Sequence, residues 1–298
     1  MKRIIMCTGK GGVGKTTIAV ATAFHFARSE RVLLLSTDPS GSLSTIFNAE
    51  FHGGTIAVEP NLHAIELTRP MILKLWRERF GEEVYGVISS VFPVGREILD
   101  YLEGAPALDE EFLLYYVLES FRSGRYDRIV WDTAPTVSTL NLLRVQEMFY
   151  SHLGEAQKLY LTVKGVLAKF MQKPGAEPLK LIEKWREMTE EILTLLSRDT
   201  SSWIVAAPER LPVEQAFYIA GVLTSFGIGI KGFVCNRLLP DGLQSPDGFL
   251  AVKREQQKRW LARLMVDADA PVVVIEEQAR EIITRDTFLE IADILYPR

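Results

Sequence analysis

The chain has 298 residues, 47% of them hydrophobic and 24% charged, and a formal net charge of −4 at pH 7. That length buries a full core as one large or two small domains, the slight negative charge argues against sequence-independent nucleic-acid binding, and no apolar run approaches the ~18 residues of a membrane-spanning helix. Two distant cysteines and four scattered histidines offer no metal-ligand spacing, so a cytoplasmic protein is expected, with reduced thiols and with an N-terminus that enters the first strand rather than a cleaved signal.

Residues 3–8 form a short apolar run that predicts a buried strand. The next stretch, Gly9-Lys10-Gly11-Gly12-Val13-Gly14-Lys15-Thr16-Thr17, fits the phosphate-loop pattern G-x-x-x-x-G-K-[ST]. Its glycines let successive backbone N–H groups face phosphate oxygens. Lys15 carries charge to the terminal phosphates and the Thr16 hydroxyl is a ligand for Mg²⁺. Residues 17–27 follow as a helix, and strand–loop–helix order places phosphates at a helix N-terminus. The stretch therefore implies a nucleoside triphosphate site. Lys10 is either a solvated loop lysine or the extra lysine of a deviant loop, in which it reaches a partner subunit's phosphates and stabilises transferring charge as an arginine finger does.

Further strands are predicted over 32–37, 62–67, 128–132, 203–207, 230–236 and 271–275. Most are continuous apolar runs, as strands covered on both faces are. Alternation with helical periodicity gives an α/β protein with a mostly parallel sheet flanked by helices. Ligands in such folds sit beyond the carboxyl ends of the strands, where Thr8, Asp38, Asp132, Glu209 and Asn236 fall.

Two helical stretches interrupt the alternation. Residues 69 to about 125 carry Ile72, Leu75, Trp76, Phe80, Val84, Val87, Ile88 and Val91 at three- and four-residue steps. Residues 151 to about 199 carry a second stripe of Leu181, Ile182, Trp185, Met188, Ile192, Leu195 and Leu196, after a Pro/Gly loop over 172–178. The expected organisation is a single domain over 1–298. Its core comprises 1–68, 126–150 and 201–298, and a helical subdomain of 69–125 and 151–200 packs together at the sheet's edge. The acidic polar positions of residues 288–298 predict a docked terminal helix rather than a basic one lying on lipid.

Asp38 closes the second strand beside the phosphate loop, where a carboxylate can orient an attacking water; a turn or a water-mediated Mg²⁺ contact is the plainer role. Asp132 closes the hydrophobic strand Ile129-Val130-Trp131 and suits a second Mg²⁺ anchor. Around these residues the chain resembles the arsenite-pump and tail-anchored-protein-targeting ATPase family, whose members are P-loop NTPases. Asp132-Thr133-Ala134-Pro135-Thr136 is similar to its second switch, and Ser36-Thr37-Asp38-Pro39 with Leu43-Ser44 to its first. Residues 102–110 resemble its helical-subdomain turn, and Pro208-Glu209 and Val234-Cys235-Asn236-Arg237-Leu238-Leu239-Pro240 its nucleotide-contacting loops. The resemblance implies ATP and Mg²⁺ as cofactors, Asp38 as the base that activates water, Lys10 as the cation acting in trans within a homodimer, Asn236 as the reader of adenine and Glu209 near the nucleotide. Asn also suits base reading chemically, since its amide pairs a donor with an acceptor, although a strand-end turn is an ordinary place for it.

The sequence departs from the family at Gly41 and Ser42, where targeting members have His and Asn, and at Val137 and Ser138, where they have Gly-His. No C-x-x-C pair supplies a zinc clamp between subunits. No cysteine trio supplies the thiolates a soft metalloid needs, so arsenite is not an expected ligand. The resemblance implies a hydrophobic helix of a client membrane protein as the partner, held by the helical subdomain, with Phe170 and Met171 in a lid and a membrane-bound receptor downstream. Ordinary core packing explains the same apolar stripes. A positioning or partitioning ATPase, a metabolic ligase of this fold and a nucleotide-regulated scaffold remain alternatives.

Overall fold

The apolar run Ile4–Gly9 (β1) is buried at every position, and seven further strands join it in one sheet. In chain order they are β2 (Val32–Ser36), β3 (Ile56–Glu59), β4 (Leu62–Glu66), β5 (Arg128–Asp132), β6 (Thr200–Ala206), β7 (Gly229–Leu238) and β8 (Val272–Glu276), with only β3 antiparallel to its neighbour. The sheet order is β3-β4-β2-β5-β1-β6-β7-β8. The computed structural model describes residues 2–38, 41–51, 53–91, 94–104, 108–134, 150–151, 154–155, 178–242 and 248–297. The described helices are α1 (Lys15–Ala27), α2 (Ser42–Phe47), α3 (Arg69–Val91), α4 (Ile98–Glu103), α5 (Leu108–Arg122), α6 (Pro178–Asp199), α7 (Arg210–Ser225), α8 (Phe249–Asp267) and α9 (Arg285–Leu295). The chain divides into two compact units, one of Met1–Leu67, Ser123–Leu140 and Leu196–Arg298, the other of Thr68–Arg122 and Asn141–Leu195.

The first unit holds the whole sheet. Ile5, Cys7, Leu34, Val130, Val205 and Val234 pack with Ile18, Val20 and Phe24 of α1 in one buried cluster. The C-terminal α9 is docked on α1 as its pattern implies: Phe288, Ile291, Ala292 and Leu295 are buried, and the Phe24 and Phe288 rings stack at 5.8 Å. Beyond α9, Tyr296 accepts a hydrogen bond from Trp203 Nε1 at 2.8 Å and stacks on His25.

Among the described residues, the regular elements of the second unit are all helices. Phe80 of α3 meets Phe112 and Tyr115 of α5 at ring separations of 6.1 and 4.9 Å. Ion pairs Lys184–Glu83 (2.6 Å) and Arg122–Glu191 tie α6 to the other helices of the unit.

The sequence pattern holds for the sheet's centre and slips at its margins. β3 has no counterpart among the expected strands: it is four residues long and only partly buried on the sheet's edge, so it shows neither a continuous apolar run nor clean alternation. β6 begins at Thr200 rather than 203, because Thr200 and Ser202 take buried positions that polar residues do not advertise. The stretch expected to be helical to about residue 125 is three helices, α3 to α5. Pro178 opens α6 instead of ending the preceding loop, as proline does at a first helical position. Residues 172–177 and the expected lid at Phe170 and Met171 lie outside the described residues.

Candidate functional site

The loop between β1 and α1 is built on backbone that side chains would obstruct. Gly14 has φ +97°, and a Cβ there would lie 2.3 Å from Asn236 Nδ2. A Cβ on Gly9 would lie 2.1 Å from the Val205 carbonyl oxygen. The loop thus lies close against Val205 of β6 and Asn236 of β7. Asn236 Nδ2 donates to the Val13 carbonyl oxygen at 2.8 Å, fastening the end of β7 to the loop.

Gly14 caps α1 without any side-chain hydrogen bond to the first turn. Free N–H groups at a helix start attract anions. Lys15 is buried, and its ammonium reaches the Lys10 carbonyl oxygen at 3.4 Å. Among the described residues it forms no ion pair, so a buried cation waits beside a cluster of backbone donors. Thr16 and Thr17 complete the first turn.

Strand β2 and helix α1 converge on one carboxylate at the end of β5. Asp132 ends β5 fully buried, and its Oδ2 accepts from Thr16 Oγ1 at 2.9 Å and from Ser36 Oγ at 3.1 Å. Its Oδ1 has no hydrogen-bond partner among the described residues. Burial raises its pKa to about 7, against the opposing pull of the two hydroxyl donors and the Lys15 charge. A buried carboxylate with one unfilled oxygen behind a threonine hydroxyl is a donor set that suits a hydrated, oxygen-loving cation such as Mg²⁺. Asp38 follows β2, half-buried, and its backbone N–H donates to the same Ser36 hydroxyl at 3.3 Å. One serine therefore links the two acids on which the sequence reading rests. Next to them, Thr133 is buried and its hydroxyl donates to the Cys7 carbonyl oxygen at 2.9 Å.

A cleft of about 240 Å³ opens beside the loop, lined by Lys10, Val13, Glu209, Arg237, Leu239 and Lys253 among others. Glu209 is exposed at the start of α7, which it caps through its backbone. The cleft collects Lys10, Gly11, Gly12, Val13 and Glu209; Asn236, Asp38 and Asp132 are not among its lining, and Asn236 is joined to it only through its bond to Val13. Arg237, Lys253 and Gln257 line the same space; Arg237 falls in the stretch read as a nucleotide-contacting loop, whereas Lys253 and Gln257 have no role in the sequence reading, each being one polar residue among many in its segment.

Gly41 adopts φ +70° and caps α2, with Ser42 as the first helical residue. Leu43 N–H, in that first turn, donates to Glu66 Oε1 at 2.9 Å. Val137 and Ser138 lie outside the described residues. Both cysteines are fully buried; burial pushes the Cys7 thiol well up and that of Cys235 to about 12. Among the described residues no helix is long and apolar enough to cross a membrane.

Comparison with known proteins agrees with this architecture. The sequence profile of the anion-transporting ATPase family matches residues 2–297. The chain is 30% identical over 299 residues to a protein of Aquifex aeolicus (strain VF5) named as arsenical pump-driving ATPase 2, covering 98% of this chain and 99% of that one. It is 28% identical over 316 residues to ATPase GET3B of Arabidopsis thaliana, covering 93% of this chain and 74% of the relative. With ATPase get3 of Pyrenophora tritici-repentis it shares 29% over 275 residues, 88% of this chain and 81% of the relative.

Proposed function

The chain belongs to the anion-transporting ATPase family and is an ATP hydrolase, and we propose that, as a homodimer, it couples Mg²⁺-ATP binding and hydrolysis to capture and release of a hydrophobic protein segment. The observation that carries the chemistry is the convergence of the Thr16 and Ser36 hydroxyls on the buried Asp132 carboxylate. In this reading the amides of residues 9–17 cradle the phosphates and Lys15 neutralises their charge. Thr16 holds Mg²⁺, with Asp132 behind it. The ion, when bound, neutralises charge on the phosphate oxygens. Asp38 orients and deprotonates the attacking water, while the Ser36 hydroxyl holds its backbone in place. Asn236 reads the adenine edge and Glu209 stands at the nucleoside. Lys10 lines the cleft from an exposed loop, a position suited to reaching a second copy's phosphates.

The partner reading rests on the second unit. Trp76, Phe80, Val84 and Leu181 are its buried core, which removes them from the candidate surface. Val87, Ile88, Ile182 and Met188 are only half-buried and continue the same stripes, leaving apolar area for an amphipathic or transmembrane helix of the sort a tail anchor supplies. Arsenite is not favoured as a ligand: the chain's two thiols are buried in separate strands, where they cannot jointly ligate a metalloid.

Substitution tests the partner reading separately from the chemistry. Replacing Ile182 and Met188 with Asp should abolish capture of an apolar helix while leaving hydrolysis unchanged. Capture that survives both substitutions would remove this surface from the account. Hydrolysis itself should disappear in Lys10→Ala and Asp38→Asn proteins.

A further inference from the structure

At the end of β7 the backbone does something an ordinary strand does not. The β7–β8 register slips between Cys235 and Leu238, and Arg237 adopts φ +64°, a left-handed conformation rare for a side chain of its size. Such a bulge re-aims the neighbouring side chains. Here the neighbour is Asn236, whose amide is turned onto the Val13 carbonyl of the phosphate loop.

What holds the bulge comes from elsewhere in the chain. Gln257 of α8 is buried, at 4% exposure. Its Oε1 accepts from the Leu239 N–H at 2.8 Å, and its Nε2 donates to the Arg237 carbonyl oxygen at 3.2 Å. The partners fix which end of the amide is which, because one is a donor and the other an acceptor. One side chain thereby satisfies a backbone donor and a backbone acceptor of the turn that follows the slip. It also lines the cleft together with Val13, Arg237 and Leu239.

We propose that Gln257 is a positioning residue for nucleotide recognition: by clamping the Arg237–Leu239 turn it sets the direction of Asn236, and so the preference for adenine over guanine. The inference rests on the reading of Asn236 as the base reader. A glutamate at 257 keeps the acceptor and loses the donor, presenting a carboxylate to a carbonyl. A methionine fills the space and satisfies neither group.

The experiment compares kcat and KM for Mg²⁺-ATP and Mg²⁺-GTP in the wild type, Gln257→Glu, Gln257→Met and Asn236→Ala, with melting temperatures for each. The ATP/GTP ratio of kcat/KM should fall about fivefold to tenfold in all three variants, the scale of one weakened hydrogen bond. In the two Gln257 variants it should fall through KM, with kcat for ATP held within about twofold. A purely structural role would lower the melting temperature and leave the ratio untouched. If Asn236→Ala loses the preference while both Gln257 variants keep it, the positioning role is overturned and the base reader stands. If Asn236→Ala keeps the preference, the base reader falls and the inference falls with it.

Discussion

The Thr16 hydroxyl donates to Oδ2 of Asp132 across 2.9 Å, although 116 residues of chain separate the two. The contact follows from the sheet. β1 and β5 are parallel neighbours with Cys7 opposite Asp132, so the strand beside the one that feeds the phosphate loop delivers the acid beneath the first turn of α1. Ser36 reaches the same oxygen from β2, which pairs with β5 at that level.

This burial gives nucleotide-free stability a distinctive pH dependence. Folded Asp132 holds its proton to about pH 7, against 3.8 for the ordinary group. A raised pKa favours the fold at low pH and loses that advantage as pH rises through the folded value. The stability contributed should fall by about 4 kcal/mol between roughly pH 4 and 7 and then level off. Asp132→Asn, which keeps an acceptor for both hydroxyls, should be the more stable protein at pH 8, with the gap closing toward pH 4. Thermal unfolding of both proteins across that range, without nucleotide or Mg²⁺, checks it; parallel curves would contradict it.

Gly14→Ala should disable nucleotide binding with little general damage. The added Cβ meets the Asn236 amide and sits on a left-handed backbone, a conformation that costs an L residue about 1–2 kcal/mol. The combination displaces either the loop or Asn236. Equilibrium ATP binding should weaken by at least about tenfold, while far-ultraviolet circular dichroism stays unchanged. Gly54→Ala, outside the loop at a position where a Cβ meets nothing within 4 Å, is the control.

The places of the loop, Asp38 and Asp132 at the ends of strands were legible in the sequence because their signals are local: glycines in a fixed spacing, and an acid after an apolar run. The central strands were legible for the same reason, being apolar throughout. β3 was not, because four partly buried edge residues carry no pattern. Gln257 was invisible within Lys253-Arg254-Glu255-Gln256-Gln257-Lys258-Arg259, a run that reads as a solvated helix face. Only the fold shows that one of its two glutamines points at the backbone of β7. The apolar stripes of the second unit were legible as stripes, but their division into buried core and half-buried surface depended on how α3, α5 and α6 pack.

Phe80→Ala should destabilise the second unit. Phe80 is 4% exposed and packs its ring on Phe112 and Tyr115, and truncating such a residue costs about 3–5 kcal/mol. Chemical denaturation should show the loss as a lower midpoint, and ATP binding at low denaturant should persist. A midpoint equal to the wild type's would show that the aromatic cluster contributes no cohesion.

Asp38→Asn should separate binding from chemistry. The substitution removes the carboxylate while retaining a side chain of the same shape and the backbone bond to the Ser36 hydroxyl. Loss of a positioned base lowers turnover by about 10²–10⁴-fold. Steady-state phosphate release should fall by that order, with ATP affinity within a few-fold of wild type. Turnover that survives would move the water-orienting role to another residue.

The most direct measurement uses this Asp38→Asn protein, mixed with a soluble fusion carrying a single apolar tail-anchor helix, in a pull-down with Mg²⁺-ATP and again with Mg²⁺-ADP. The expected result is a complex with ATP that is absent with ADP and absent when charged residues interrupt the helix. No complex in either nucleotide, in protein shown to bind ATP, would contradict nucleotide-gated capture of a hydrophobic segment.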